Sequence, residues 1–149
     1  MTAMSEPITA ERRAAAFRAT REAHSTEMAE DYVELISDLI AGRGEARLTD
    51  LAEHMGVAHA TAAKVVQRLK GLGLVRNRPY RSIFLTDSGE TIADRSRQRH
   101  QVVVEFLRAL GVGRETAEIE AEGIEHHVSA DTLALMERKT SEWTGRALG

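Results

Sequence analysis

ARLTDLAEHMGVAHATAAKVVQRLKGLGLV, Ala46 to Val75, carries two short apolar stripes of helical spacing on either side of Gly56-Val57. Leu48, Leu51, Ala52 and Met55 form the first, with Thr49 as its expected N-cap, and Ala62, Val65, Val66 and Leu69 form the second. Two helices joined by so tight a turn predict a helix-turn-helix. Ala52 is small where the helices must cross, Gly56 permits the positive φ of the turn, and Val57 with Val65 is expected to fill the wedge. A pair of helices used only for packing would show the same stripes, so the neighbouring sequence decides. After Gly71 and Gly73, LVRNRPYRSIFLT reads as two short strands, Leu74 to Arg76 and Ser82 to Leu85, with Asn77 to Arg81 at the tip. A basic hairpin behind a helix-turn-helix is a wing, and together they point to DNA. The second helix, starting near Ala58, is expected to turn His59, Ala60, Thr61, Lys64 and Arg68 toward base edges or phosphates. The wing adds Arg78, Tyr80 and Arg81.

Upstream, Ala10 to Ala41 has helical periodicity, with an apolar face of Met28, Val33, Leu35, Ile36, Leu39 and Ile40; Gly42 and Gly44 stop it. Downstream of Thr86 helical periodicity resumes. Val102, Val103, Phe106, Leu107 and Leu110 form a side that a small DNA-binding unit has little room to bury, which suggests a dimer interface. Two shorter helices follow, about Arg114 to His127 and one beginning after Ser129 as N-cap. The fold expected is mostly α with a small β-hairpin: a winged helix-turn-helix domain (23–90) plus a helical metal-binding and dimerisation domain (91–149), preceded by a partly flexible extension (1–22).

Net charge sharpens the division. The whole chain carries −3, yet Arg47 to Phe84 holds seven Lys or Arg against two acids, a local +5 that leaves −8 for the rest. A basic centre with acidic flanks calls for two different ligands. The 149 residues contain no cysteine, which excludes disulfides, thiolate metal sites and a Cys nucleophile and suits a cytoplasmic protein. No apolar window reaches the ~20 residues of a membrane span.

EGIEHHVS, Glu122 to Ser129, concentrates carboxylates and imidazoles. On a helix Glu122, Glu125 and His126 stand at i, i+3 and i+4, within an arc of about 100°, where they can converge on one ion; His127 points elsewhere, in a surface or supporting role. Alone, such a cluster also describes a solvated helix face. Asp31 and Glu34 share the i, i+3 spacing on the first helix, and His100 lies in an otherwise apolar helix.

Taken together, Ala29 to Leu69, the hairpin PYRSIFLT, the helix RQRHQVVVEFLRALGV and EAEGIEHHVS resemble the manganese-responsive regulators of the diphtheria toxin repressor family, from about Phe17 to past Thr132. The resemblance implies a short form without an SH3-like domain. By matching positions it assigns metal ligation to Asp31, Glu34, His100, Glu122, Glu125 and His126. Iron-responsive relatives carry Met at the position of Asp31 and Cys at that of Glu122; carboxylates at both favour a hard ion such as Mn²⁺, one or two per subunit. Ser82 stands where relatives usually have Gly, and Ala60 where Pro is common.

The implied function is a Mn²⁺-dependent repressor of manganese uptake genes. It would act as a homodimer on palindromic double-stranded operator DNA, with no membrane or small organic substrate as partner. The alternative within the family is a response to iron or another divalent metal. Two other classes compete: a winged-helix sensor of an organic ligand, and a hydrolase built on Glu122, Glu125 and His126. The second is opposed by the lack of an HExxH motif, nucleophile elbow or phosphate-binding Gly loop, so no enzyme is expected.

Overall fold

The computed structural model describes residues 7–77 and 82–145. Helix α1 (Ala10–Arg43) starts where Thr9 Oγ accepts a hydrogen bond from the Arg12 N–H at 3.2 Å. It ends at Gly44, whose φ of +82° lets its N–H turn back to the Ile40 carbonyl. Gly42 lies inside the helix instead of stopping it. Residues 10–22 continue into the rest of α1, but burial begins only at Tyr32, Val33, Ile36 and Leu39, and Phe17 and Met28 stay exposed.

The helix-turn-helix is α2 (Leu48–Met55) and α3 (His59–Gly71), joined at Gly56 with φ +65°. The N-cap of α2 is Arg47, not Thr49: Asp50 in the first turn accepts the Arg47 N–H at 3.1 Å and does the capping from inside the helix. Val57 remains exposed, and the wedge is filled by Leu51, Ala62, Val65 and Val66. Strands β1 (Val75–Asn77) and β2 (Ile83–Leu85) pair antiparallel in the register Val75 to Leu85 and Asn77 to Ile83. The Ile83 N–H donates to the Ala46 carbonyl at 2.8 Å, sewing the wing to the α1–α2 loop. Arg78, Tyr80 and Arg81, the expected wing contacts, lie outside the described residues.

Helix α4 (Asp87–Ala109) joins the two halves. Thr86 caps it, accepting from the Gly89 N–H at 3.2 Å while donating to the Gly73 carbonyl at 2.6 Å, so the helix leaves directly from the base of the wing. Ala93 packs into the first core with α1, α2, α3 and the wing. Nearly three turns on, Val103, Val104 and Leu107 build a second core with Ala117 and Ala121 of α5 (Arg114–Ile124) and the half-buried Leu133 and Met136 of α6 (Ala130–Thr144). The boundary expected between residues 90 and 91 therefore falls within one continuous helix.

Of the expected dimer face, Val103 and Leu107 are turned into this second core, because α5 and α6 need a partner surface of their own. Leu110 stays exposed with Ile119, Leu135 and Trp143, and Phe106 stacks on Trp143 at 5.7 Å between ring centroids. Among the described residues no helix is long and apolar enough to cross a membrane.

Candidate metal centre

Three stretches deliver polar and charged side chains to the seam between the two cores: α1, the middle of α4, and the end of α5 with the turn that follows it. That turn differs from the expected continuous helix. α5 ends at Ile124, and the His127 N–H bonds the Ile124 carbonyl at 3.0 Å, tightening the last turn. Glu125 keeps helical backbone angles, φ −56° and ψ −32°, so Glu122 and Glu125 still share a face as their spacing requires.

Donor atoms of Asp31, Glu122, Glu125 and His126 all lie within 4.8 Å of one another. His126 Nε2 is 3.1 Å from Asp31 Oδ1 and 3.2 Å from Glu125 Oε1. His100 joins from α4, its Nδ1 3.2 Å from Glu125 Oε2 and 3.4 Å from Glu122 Oε1. Glu34, the sixth expected ligand, is held at the edge by Ser96, which donates to its Oε2 at 3.0 Å.

Two residues that the sequence reading missed complete the arrangement. Glu30 Oε2 sits 2.6 Å from His126 Nδ1, which directs the other ring nitrogen into the cluster. Arg99 donates from Nε to the Glu125 carbonyl and from Nη2 to the Val128 carbonyl, both at 3.0 Å, clamping the turn that carries Glu125 and His126. A signal for Glu30 existed: Glu27, Glu30, Asp31 and Glu34 form an acidic stripe at i, i+3, i+4 and i+7 on α1.

The electrostatics are those of a site short of positive charge. Burial raises the Glu34 carboxyl above its ordinary range; the Ser96 hydrogen bond offsets part of this, and the Glu125 charge adds to it. Glu122 is raised by burial and then by Glu125. Burial alone would lower the pKa of His126, but the carboxylates of Asp31, Glu125 and Glu30 beside its ring overcome it and push the value up to about 12. Without a cation, His126 is thus an imidazolium that compensates the carboxylates.

It does so imperfectly. His100 Nδ1, His126 Nε2 and both Glu125 carboxylate oxygens are buried with no hydrogen-bond partner. Imidazole nitrogens and carboxylate oxygens 3.1 to 3.4 Å apart that fail to align are aimed at a common point and not at each other. Carboxylates and imidazoles converging in this way fit a hard divalent cation, with Asp31, Glu122, Glu125, His126 and His100 able to hold it, while Glu34 is turned to Ser96.

On the other surface, His59, Ala60, Thr61 and Lys64 of α3 are all exposed, as a reading helix requires. Arg68 is exposed as well, but it is turned toward α1, where Nη2 donates to Ser25 Oγ at 2.8 Å. Arg47, Gln67, Lys70 and Asn77, none of them singled out from the sequence, line a groove with His59 beside α3.

Comparison with known proteins matches the two halves separately. Residues 24–83 match the family described as iron dependent repressor, N-terminal DNA binding domain, and residues 86–142 match iron dependent repressor, metal binding and dimerisation domain. The transcriptional regulator MntR of Salmonella typhimurium is 54% identical over 117 residues, 78% of this chain and 74% of that protein. The HTH-type transcriptional regulator MntR of Lysinibacillus sphaericus is 40% identical over 104 residues, 70% of this chain and 75% of that protein. A solved manganese-dependent transcriptional repressor in complex with manganese superposes with a TM-score of 0.67 at 31% identity, over 80% of this chain; this chain spans 53% of that one.

Proposed function

The chain belongs to the iron-dependent (diphtheria toxin) repressor family, and from that premise we propose that it is a Mn²⁺-dependent DNA-binding transcriptional repressor acting as a homodimer. The observation that carries the mechanism is the origin of the ligands. Asp31 and Glu34 ride on α1, whose far end packs against the helix-turn-helix, whereas Glu122, Glu125 and His126 ride on α5 and the turn after it, which are built onto the second core.

Bound among these groups, a cation supplies the positive charge that lets carboxylates from both bodies approach one another. The chain's own residues do the rest. Arg99 holds the turn, Glu30 fixes the His126 ring, and Ser96 positions Glu34, so closure brings preset groups together. In a two-fold dimer, a fixed angle between the bodies fixes the distance between the two α3 helices. Docking in successive major grooves needs about 34 Å. Coupling of ~1–3 kcal/mol between cation and DNA corresponds to about 5- to 150-fold in operator affinity.

Mn²⁺ rather than a softer ion is supported by a donor set of carboxylates and imidazoles without sulfur, and by the manganese-dependent relative. The ligand set is Asp31, Glu34, His100, Glu122, Glu125 and His126, holding one or two ions per chain. The DNA contacts are His59, Ala60, Thr61, Lys64 and Arg68 with Arg78, Tyr80 and Arg81 of the wing, on a palindromic operator of manganese uptake genes in the cytoplasm. Residues 23–90 and 91–149 serve as head and dimerisation unit.

The test is DNA binding after chelation. Mn²⁺ is expected to restore it and Mg²⁺ is not; restoration by Fe²⁺ alone would favour the iron-sensing alternative, and indifference to every cation would contradict the proposal. The same titration carries a pH signature. His126 ligates only when neutral, yet without the cation its pKa is about 12, so each ion bound in the neutral range expels a proton. Lower pH favours the imidazolium, and the Mn²⁺ concentration for half-maximal DNA binding should rise about tenfold per pH unit lowered.

A further inference from the structure

Beside the deep centre, along the same seam and one to two turns before Asp31 on α1, a different set of donors meets. His24 and Glu27 stand one turn apart on α1, and His127 reaches them from the turn after α5. Their donor atoms lie within 4.8 Å of one another. Glu27 Oε2 is the hub, 3.1 Å from His24 Nδ1 and 3.6 Å from His127 Nε2. The two imidazoles meet edge to face with centroids 5.0 Å apart and an angle of 77° between the rings.

We propose that His24, Glu27 and His127 form a second cation site, which takes a borderline transition-metal ion of the Zn²⁺ type. The donor chemistry separates it from its neighbour: two imidazole nitrogens and one carboxylate suit Zn²⁺ or Co²⁺, whereas the carboxylate-rich deep centre suits a harder ion. Three side-chain ligands leave a position for water, and the exposure of His24 on the outer side keeps that position open to solvent.

The geometry is held in place by the rest of the fold. His127 is fixed by its N–H bond to the Ile124 carbonyl and by Arg99, which grips the carbonyls on both sides of it. Glu27 and His24 are set by a continuous helix. A tight pair of a lone imidazolium with Glu27 would need one histidine; the second, packed against the first with its nitrogen toward the same oxygen, gives the cluster the makeup of a ligand set. Because its ligands come from α1 and from the turn, an ion here braces the same two bodies that the deep centre joins, through residues that centre does not use.

Zn²⁺ bound per chain is to be counted by equilibrium dialysis for the chelated full-length protein and for the His24→Ala/His127→Ala variant, with Mn²⁺ binding followed separately by electron paramagnetic resonance. The unaltered protein is expected to hold one more Zn²⁺ per chain than the variant, and the Mn²⁺ count is expected to be equal in both. In the Glu125→Gln variant, whose deep centre is disabled, the imidazole nitrogen resonances of His24 and His127 should still move on addition of Zn²⁺. Failure of the deep-centre reading would leave both results intact. Equal Zn²⁺ counts, or resonances of His24 and His127 indifferent to Zn²⁺, would overturn the proposal.

Discussion

Glu125→Gln is expected to remove most of the Mn²⁺ response of operator binding while leaving a folded dimer. Glu125 is 1% exposed, both its oxygens lack hydrogen-bond partners, and one of them faces His126 while the other faces His100. The amide keeps the volume and leaves the backbone carbonyl free to accept from Arg99, so the turn stays in place. What is lost is the charge at the centre of the ligand set. If the coupling between cation and DNA is the ~1–3 kcal/mol common in such systems, its removal lowers Mn²⁺-supported affinity by about 5- to 150-fold. The unloaded protein should not suffer, since Glu34 and Glu122, both raised in part by the Glu125 charge, are relieved of it. Anisotropy of a labelled operator at saturating Mn²⁺, with circular dichroism as the control for folding, measures the effect. An unchanged Mn²⁺ response would remove Glu125 from the site.

The second large effect concerns the joint between wing and α4. In Gly89→Ala the new Cβ would lie 2.2 Å from the Leu74 carbonyl oxygen and 3.2 Å from both its carbon and Leu85 Cδ2. The oxygen belongs to backbone that already accepts the Thr86 N–H at 3.0 Å, so it cannot retreat without breaking the cap that launches α4. Overpacking against fixed backbone costs about 3 kcal/mol. In a chain of this length that lowers Tm by roughly 6–12 °C. A thermal melt of the variant within about 2 °C of the unaltered protein would show that the helix can shift freely at this point.

How far these features could be read from the sequence depends on the range of the interaction that makes them. The helix-turn-helix is written in spacings of three and four residues around Gly56, and the structure has it at those positions. So are the cap at Ser129, whose Oγ accepts the Thr132 N–H at 3.1 Å, and the strand pair. The cap of α2 is not fixed by the local pattern because two solutions compete, Thr49 as cap or Asp50 bonding back to Arg47, and the second, which the fold adopts, places the cap two residues earlier.

Contacts between distant segments left weaker marks. Glu30 and His126 are 96 residues apart, and nothing in the local pattern of Glu30 separates it from its neighbours Glu27 and Asp31. Arg99 looks like any charge on a helix until the turn 26 and 29 residues later folds over it. The inward turn of Val103 and Leu107 follows from the docking of α5 and α6, which their own stripe does not specify. Arg68 meets Ser25 for the same reason, across 43 residues. The proposed ligands could be named because the resemblance placed them; the fold brings donor atoms of Asp31, Glu122, Glu125 and His126 within 4.8 Å of one another.

The separation of the two reading heads in solution tests the central claim most directly. The chain has no cysteine, so a single spin label introduced at exposed Glu53 on α2 reports the distance between protomers by pulsed electron resonance. With Mn²⁺ the distribution is expected to narrow to one separation consistent with recognition helices about 34 Å apart, and after chelation to broaden over many. Equal widths and centres with and without Mn²⁺ would contradict the account.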